Sequence, residues 1–258
     1  MAAVFFDIDG TIWDRELVIP DSTVTAVKLL HENGHRAFLC SGRPRATIYG
    51  ENLSALEMDG ILAGCGTYIE YQGKVVFEKR LEPELLRRTV ALLQRHHLPV
   101  LIEGNERLFM EDEILTDWYG GVLKKAIPDR VCPLEGNENR WEGSKFTVLT
   151  AGRDYLSALP ELEPDYEILA HGDKVMELVP KGFSKATGIE RTCALLEIPR
   201  EDTYAFGDSV NDSDMLRYAA VGVAMGDGSE AAKEAADYIT GGVHEDGIYR
   251  ALQHFELI

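Results

Sequence analysis

The chain carries a series of short apolar runs, each too short for a helix and several ending in residues that do chemistry. Ala3–Phe6 runs into Asp7-Ile8-Asp9-Gly10-Thr11, and Arg36–Cys40 runs into Ser41-Gly42-Arg43. Tyr204–Phe206 runs into Gly207-Asp208-Ser209-Val210-Asn211-Asp212. Helix-like stretches lie between these runs. Asp21-Ser22 offers an N-cap before Val24, Ala26, Val27 and Leu30, with Gly34 as a stop. A helical stretch follows Ser41-Gly42 to about Leu56, and Ser184 caps another to about Leu196. Asp212–Tyr218, Ser229–Ala236 and Ile248–Phe255 also read as helices, with Val221–Ala224 as a strand. Strands alternating with helices of this length imply βαβ units and a parallel sheet. Gly60–Ala63 is a further buried strand, and Tyr68–Tyr71 with Val75–Phe77 flanks Gln72-Gly73 as a hairpin.

The middle of the chain is patterned differently. Pro83–His96 reads as a helix, followed by Val100–Glu103 and Leu108–Glu111 around a Gly104-Asn105 turn. After an irregular stretch come Phe146–Thr150, a helix near Tyr155–Leu162, and a hairpin of Ile168–Ala170 and Val175–Val179. Hairpins with helices suggest an antiparallel sheet. The sequence therefore predicts an α/β fold: a doubly wound, mostly parallel, Rossmann-like core from residues 1–81 and 181–258, interrupted by an inserted α+β cap domain at 82–180.

Charge narrows the partners. Forty-four acids against 26 Lys and Arg give a net charge of −18. No third of the chain is basic, so no segment looks built to neutralise a nucleic-acid backbone or an anionic membrane. No apolar run reaches the roughly 18 residues a membrane span needs. The N-terminus lacks a basic region before its apolar run and does not read as a signal peptide. The four cysteines form no C-x-x-C pair, so reduced thiols in a cytoplasm are the expectation. A chain of 258 residues buries enough surface to hold a core without disulfides or a structural metal.

In open parallel sheets, ligands bind beyond the carboxyl ends of the strands. Asp7, Asp9 and Asp208 gathered there would repel one another and push their pKa values up. A divalent cation resolves this, and oxygen-only ligands favour Mg²⁺ over Zn²⁺. Lys185 and the Ser41 hydroxyl, with backbone N–H groups at a following helix start, offer positive ends to an anion. Phosphoryl transfer needs these parts, and an aspartate can serve as its nucleophile.

At these residues the sequence resembles the haloacid dehalogenase superfamily of phosphatases. Asp7 to Thr11 meets its D-x-D-G-T motif, Ser41 its second motif, Lys185 its lysine near a helix start, and Gly207, Asp208, Asn211 and Asp212 its G-D-x-x-N-D motif. Order and spacing are similar to the Cof-type branch, the capped type IIB phosphatases. The resemblance is specific over the two terminal segments and architectural over the cap. It implies a Mg²⁺-dependent hydrolase of a small phosphorylated metabolite such as a sugar phosphate. Asp7 would be the nucleophile that forms an aspartyl-phosphate, and Asp9 the general acid and base. Asp7, the Asp9 backbone carbonyl and Asp208 would hold the metal. Ser41, Lys185, Asn211 and the Ile8 and Gly42 backbone N–H groups would bind phosphate, with Asp212 orienting Lys185 or a metal-bound water. The same motifs leave open a phosphoryl transferase or sugar phosphomutase, and a non-catalytic phosphometabolite-binding regulator.

Several residues carry plainer readings. Ser41 could simply be an N-cap, and Lys185 a surface lysine with Lys181 as its competitor. Trp13 reads as core packing or as a lid on substrate. Arg43 and Arg45 read as structural or surface groups, His96-His97 as a solvated helix end, and His171 as a surface turn residue. The family often has Leu after D-x-D-G-T, and the Cof-type branch often has Asn-Gly after its third strand; here Ile12-Trp13 and Cys65-Gly66 stand there. Both departures could alter the substrate pocket.

Overall fold

The computed structural model describes the backbone of residues 1–258 and the side chains of all but residues 51, 52 and 118. The chain divides into two compact units. Met1–Gly42, Tyr49–Glu78 and Ser184–Ile258 form the first; Arg43–Ile48 and Lys79–Phe183 form the second.

The first unit is built on an eight-stranded sheet in the order Tyr238–Ile239, Val221–Ala224, Thr203–Gly207, Ala3–Phe6, Arg36–Cys40, Gly60–Ala63, Tyr68–Tyr71, Lys74–Glu78. The first six run parallel and the last two antiparallel. The central strand Ala3–Phe6 is wholly buried, as a parallel strand covered on both faces must be. It pairs with Thr203–Gly207 on one side and Arg36–Cys40 on the other, so the chain winds outward in both directions from it. That reversal opens a crevice at the strands' carboxyl ends. Phe5, Phe38, Leu62, Ile189, Met215 and Leu216 fill the core on one side.

The second unit has a mixed six-stranded sheet: Tyr166–His171, Val175–Pro180, Lys145–Leu149, Val100–Glu103, Leu108–Met110, Val131–Pro133. Only the last pair is parallel. Period-2 alternation puts Val100, Ile102, Phe146, Val148, Met176 and Leu178 in a core shared with Leu86, Val90 and Leu93 of the helix Pro83–Arg95. Several alternate positions, Glu103, Lys145, Thr147 and Glu177, are polar. Lys145 Nζ lies 2.6 Å from Glu103 Oε2 and 2.5 Å from Glu177 Oε2, and Thr147 Oγ1 donates to Glu103 Oε1.

The structure corrects several local expectations. The helix after Leu17 starts at Asp21 itself, with Pro20 as an N-cap lacking any side-chain bond. Asp21 thus acts in the first turn, where an acid favours the helix dipole. No continuous helix follows Gly42. A 3-10 turn at Arg45–Thr47 and a short helix at Glu51–Ser54 are separated by Gly50 at φ +113°, and Pro44 precedes the turn in an extended conformation. Ser41 is therefore not an N-cap. The irregular stretch holds two short helices, Asp112–Thr116 and Trp118–Ala126, then the parallel edge strand Val131–Pro133. Tyr155–Leu162 is a 3-10 turn plus one helical turn. Among the described residues no helix is long and apolar enough to cross a membrane.

Candidate active site

Asp7 continues the central strand by one residue. Its N–H donates to Phe206 O at 2.9 Å, which ties it to the neighbouring strand end. The chain then turns tightly, with the Ile8 carbonyl accepting from the N–H groups of Ile12 and Trp13. Gly10 makes the turn possible. Its φ is +83°, and a Cβ there would lie 2.4 Å from Asp208 Oδ2. Only a residue without a side chain fits between this turn and that carboxylate.

Lys185 opens the helix Lys185–Leu196. Ser184 caps it, in a reciprocal box with Thr187. Gly188 on this helix meets Gly66 so closely that a Cβ at either would strike backbone, so the helix start sits hard against the loop after Gly60–Ala63. Lys185 is 2% exposed. Its Nζ lies 2.6 Å from Asp7 Oδ1, 2.5 Å from Asp212 Oδ1 and 3.4 Å from Asn211 Oδ1. The surface alternative for Lys185 is thus excluded. Lys181 is half exposed, paired with Glu167, and lies in the second unit.

Asp212 is fully buried. Its Oδ2 accepts from the N–H groups of Asp208 and Ser209 at 3.0 and 2.9 Å and from the Ser209 hydroxyl at 3.1 Å. Both its oxygens are therefore committed, one to Lys185 and one to the loop carrying Asp208. Ser209 also donates to Asn211 Oδ1 at 2.6 Å. Ser41 is buried in a braced turn: its N–H donates to Leu62 O, and its carbonyl accepts from Cys65 N–H. Gly42 is half-buried and follows directly. Cys65 sits at φ +54°, a left-handed position that asparagine tolerates best among residues with a side chain. Asp9 is exposed, and its Oδ1 accepts from Trp13 Nε1 at 2.9 Å. Trp13 itself is buried, which removes its reading as a lid.

The electrostatics are unbalanced. Oxygens of Asp7, Asp208 and Asp212 lie within 4.8 Å of one another with one lysine among them. Burial and the Asp212 charge push Asp7 well above the usual carboxylate range, against the pull of Lys185. Burial opposes charge on Lys185, but Asp212 and Asp7 outweigh it and hold the ammonium protonated. Burial, with Asp212 next, raises Asp208 to about 7. Asp208 Oδ1 is buried without a hydrogen-bond partner. An orphaned oxygen in a carboxylate cluster fits a hard divalent cation with oxygen ligands. Asp208 and Asp7 are the side chains suited to hold it, because Asp212 is already spent.

Sequence reasoning missed two contributors. Ser209 ties Asn211 and Asp212 into one loop, although a Ser beside an Asp-rich turn signals such a cap. The Trp13–Asp9 bond had only the four-residue spacing to suggest it.

Residues 4–252 match the family model for haloacid dehalogenase-like hydrolases. The protein YkrA of Bacillus subtilis (strain 168) is 30% identical over 258 residues, covering 99% of this chain and 98% of its own. The 5-amino-6-(5-phospho-D-ribitylamino)uracil phosphatase YitU of the same organism is 26% identical, covering 98% and 96%. Among solved structures, the subclass IIB sugar phosphatase BT4131 gives a TM-score of 0.84 at 31% identity over 100% of both chains. The chain belongs to the haloacid dehalogenase-like hydrolases. Within them it is a Cof-type, subclass IIB phosphatase.

Proposed function

We propose that the protein hydrolyses the phosphomonoester of a small hydroxylated metabolite, by way of a phosphoryl group carried on Asp7. The observation that carries this reading is the Lys185 ammonium shared between Asp7 and Asp212 beside the unpartnered Asp208 oxygen. Asp212 anchors the lysine, and the lysine orients Asp7 and presents positive charge to the incoming phosphate. Ser41, Asn211, and the Ile8 and Gly42 N–H groups complete the phosphate cradle. Asp7 forms a bond to phosphorus as the ester oxygen leaves. Asp9 gives that oxygen its proton, then takes one from the water that releases phosphate from Asp7, a role typically worth about 10²–10⁴ in rate. The Asp7 and Asp208 carboxylates and the Asp9 backbone carbonyl would hold Mg²⁺. When bound, the ion offsets the carboxylate charge and draws electron density from the phosphoryl oxygens.

The substrate class leans on relatives whose names give a sugar phosphatase and a phosphoribitylaminouracil phosphatase. The four cysteines form no disulfide among the described residues, which supports a cytoplasmic setting. The test is Asp7→Asn with a panel of phosphorylated sugars and polyols in Mg²⁺. The parent should turn over at least one of them, lose activity with a chelator and, after acid quench, carry labelled phosphate from the substrate. The variant should do neither, with kcat down at least about 10³-fold. Undiminished turnover by Asp7→Asn would refute the nucleophile.

A further inference from the structure

Asp9 stands on an exposed turn, where a carboxylate ordinarily samples several rotamers in water. One of its oxygens is instead fixed by a buried, rigid group. Trp13 is 4% exposed, and its indole Nε1–H donates to Asp9 Oδ1 at 2.9 Å. The backbone locks the pair in register. Gly10 N–H donates to Trp13 O at 2.9 Å, Trp13 N–H donates to Ile8 O at 3.2 Å, and Asp9 and Trp13 form a β-bridge. An indole N–H donates and never accepts. An oxygen that receives it keeps the role of acceptor, whichever protonation state the carboxyl group is in.

We propose that Trp13 is a positioning residue for Asp9, fixing its carboxyl group through Oδ1 in the orientation from which it exchanges the transferred proton. The inference rests on the acid–base role given to Asp9 above and adds the group that aims it. In the first step the Asp7 oxygen bonds to phosphorus, the ester P–O bond breaks, and the Asp9 carboxyl proton passes to the departing oxygen, giving the alcohol. In the second step water oxygen bonds to phosphorus, the Asp7–phosphorus bond breaks, and one water proton returns to the Asp9 carboxylate. The indole proton stays on nitrogen throughout. Trp13 thereby also answers why this chain carries a large aromatic residue just after its first motif: the ring is an anchor beneath the turn, and its one polar atom is the aiming device.

The test separates aiming from packing through the leaving group. An alkoxide needs the proton as it departs, whereas dinitrophenolate does not. Trp13 is replaced by Phe and, separately, by β-(3-benzothienyl)alanine, which keeps the bicyclic shape and puts sulfur in place of the N–H. The parent, both variants and Asp9→Asn are compared by kcat/KM on an alkyl phosphate that the parent turns over and on 2,4-dinitrophenyl phosphate. kcat/KM reports the steps up to phosphoryl transfer to Asp7. The expected result is a fall of about 10- to 100-fold on the alkyl ester for both Trp13 variants, part of the general-acid contribution. On the aryl ester the change should stay within about threefold, and Asp9→Asn should show the same pattern at larger size. The isosteric variant keeps the test valid if Phe disturbs folding. Equal losses on both esters, or none on either, would overturn the positioning role while a selective Asp9→Asn loss leaves the functional reading intact. A parent that hydrolyses neither ester would overturn both.

Discussion

The Asp208 carboxylate should destabilise the metal-free protein, and its removal should show by how much. The group is raised from 3.8 to about 7, with burial first and Asp212 second among the causes. At about 1.36 kcal/mol per pKa unit, holding it ionised in the folded state costs at most ~4 kcal/mol. Partial solvent access halves that to ~2 kcal/mol. The sign follows from linkage. Below the unfolded value near 4 both states bind the proton and nothing is lost. As pH rises toward 7 the unfolded state gives up its proton first, so stability falls, and above 7 the full cost is present. Asp208→Asn does not titrate and should therefore be more stable than the parent in a chelator at pH 8, by about 2 kcal/mol or ~4–8 °C in melting temperature. The gain should shrink to about half at pH 5.5. Added Mg²⁺ should raise the melting temperature of the parent and leave the variant nearly unmoved, reversing their order. Thermal unfolding monitored by circular dichroism at the two pH values reads all of this. A variant less stable than the parent at pH 8, or a gain independent of pH, would refute the claim that Asp208 is held against its own charge.

Gly10→Ala places a Cβ 2.4 Å from Asp208 Oδ2 at a φ of +83°. It should cost about 1–3 kcal/mol in urea unfolding, and calorimetric titration should show Mg²⁺ affinity down at least about tenfold. In the second unit, Lys145→Met leaves the buried Glu103 without its cation and should lower stability by about 3–5 kcal/mol. An unchanged urea midpoint would show that Glu103 takes up a proton at little cost.

The strand ends were legible because each lesson is local. Ala3–Phe6 is apolar throughout and then meets Asp7, and so short an apolar run favours a covered strand, as found. Ser184 announces the start of its helix, which places Lys185 in the first turn. What the sequence could not show depends on contacts between segments or on breaks in a pattern. The stretch after Gly42 has helical spacing, yet Pro44 and Gly50 cut it into a 3-10 turn and one short helix. Trp13 looked like packing or a lid because its meeting with Asp9 exists only once Gly10 has folded the turn. The short elements between Asp112 and Pro133 are too brief for periodicity to register.

The two buried charged clusters show most clearly what sequence alone leaves undecided. Each unit draws acids and one lysine from separate strands or loops into its interior. In the second unit Lys145 pairs with Glu103 and Glu177, and His171 Nε2 lies 3.2 Å from the other Glu177 oxygen. Burial pushes Glu177 up, but Lys145 and His171 outweigh it and bring it down to about 2. Burial meanwhile pushes Glu103 of the same cluster up, against the pull of Lys145. In the first unit Lys185 is consumed by Asp7 and Asp212, and Asp208 is left raised to about 7 with an oxygen unpartnered. The same residue types thus settle differently: Glu177 is brought down, and Asp208 is left raised. An acid left short of positive charge, as Asp208 is, is arranged for something that arrives carrying it. That shortfall, set beside an Asp7 carboxylate held by Lys185, is what the proposed catalytic role rests on.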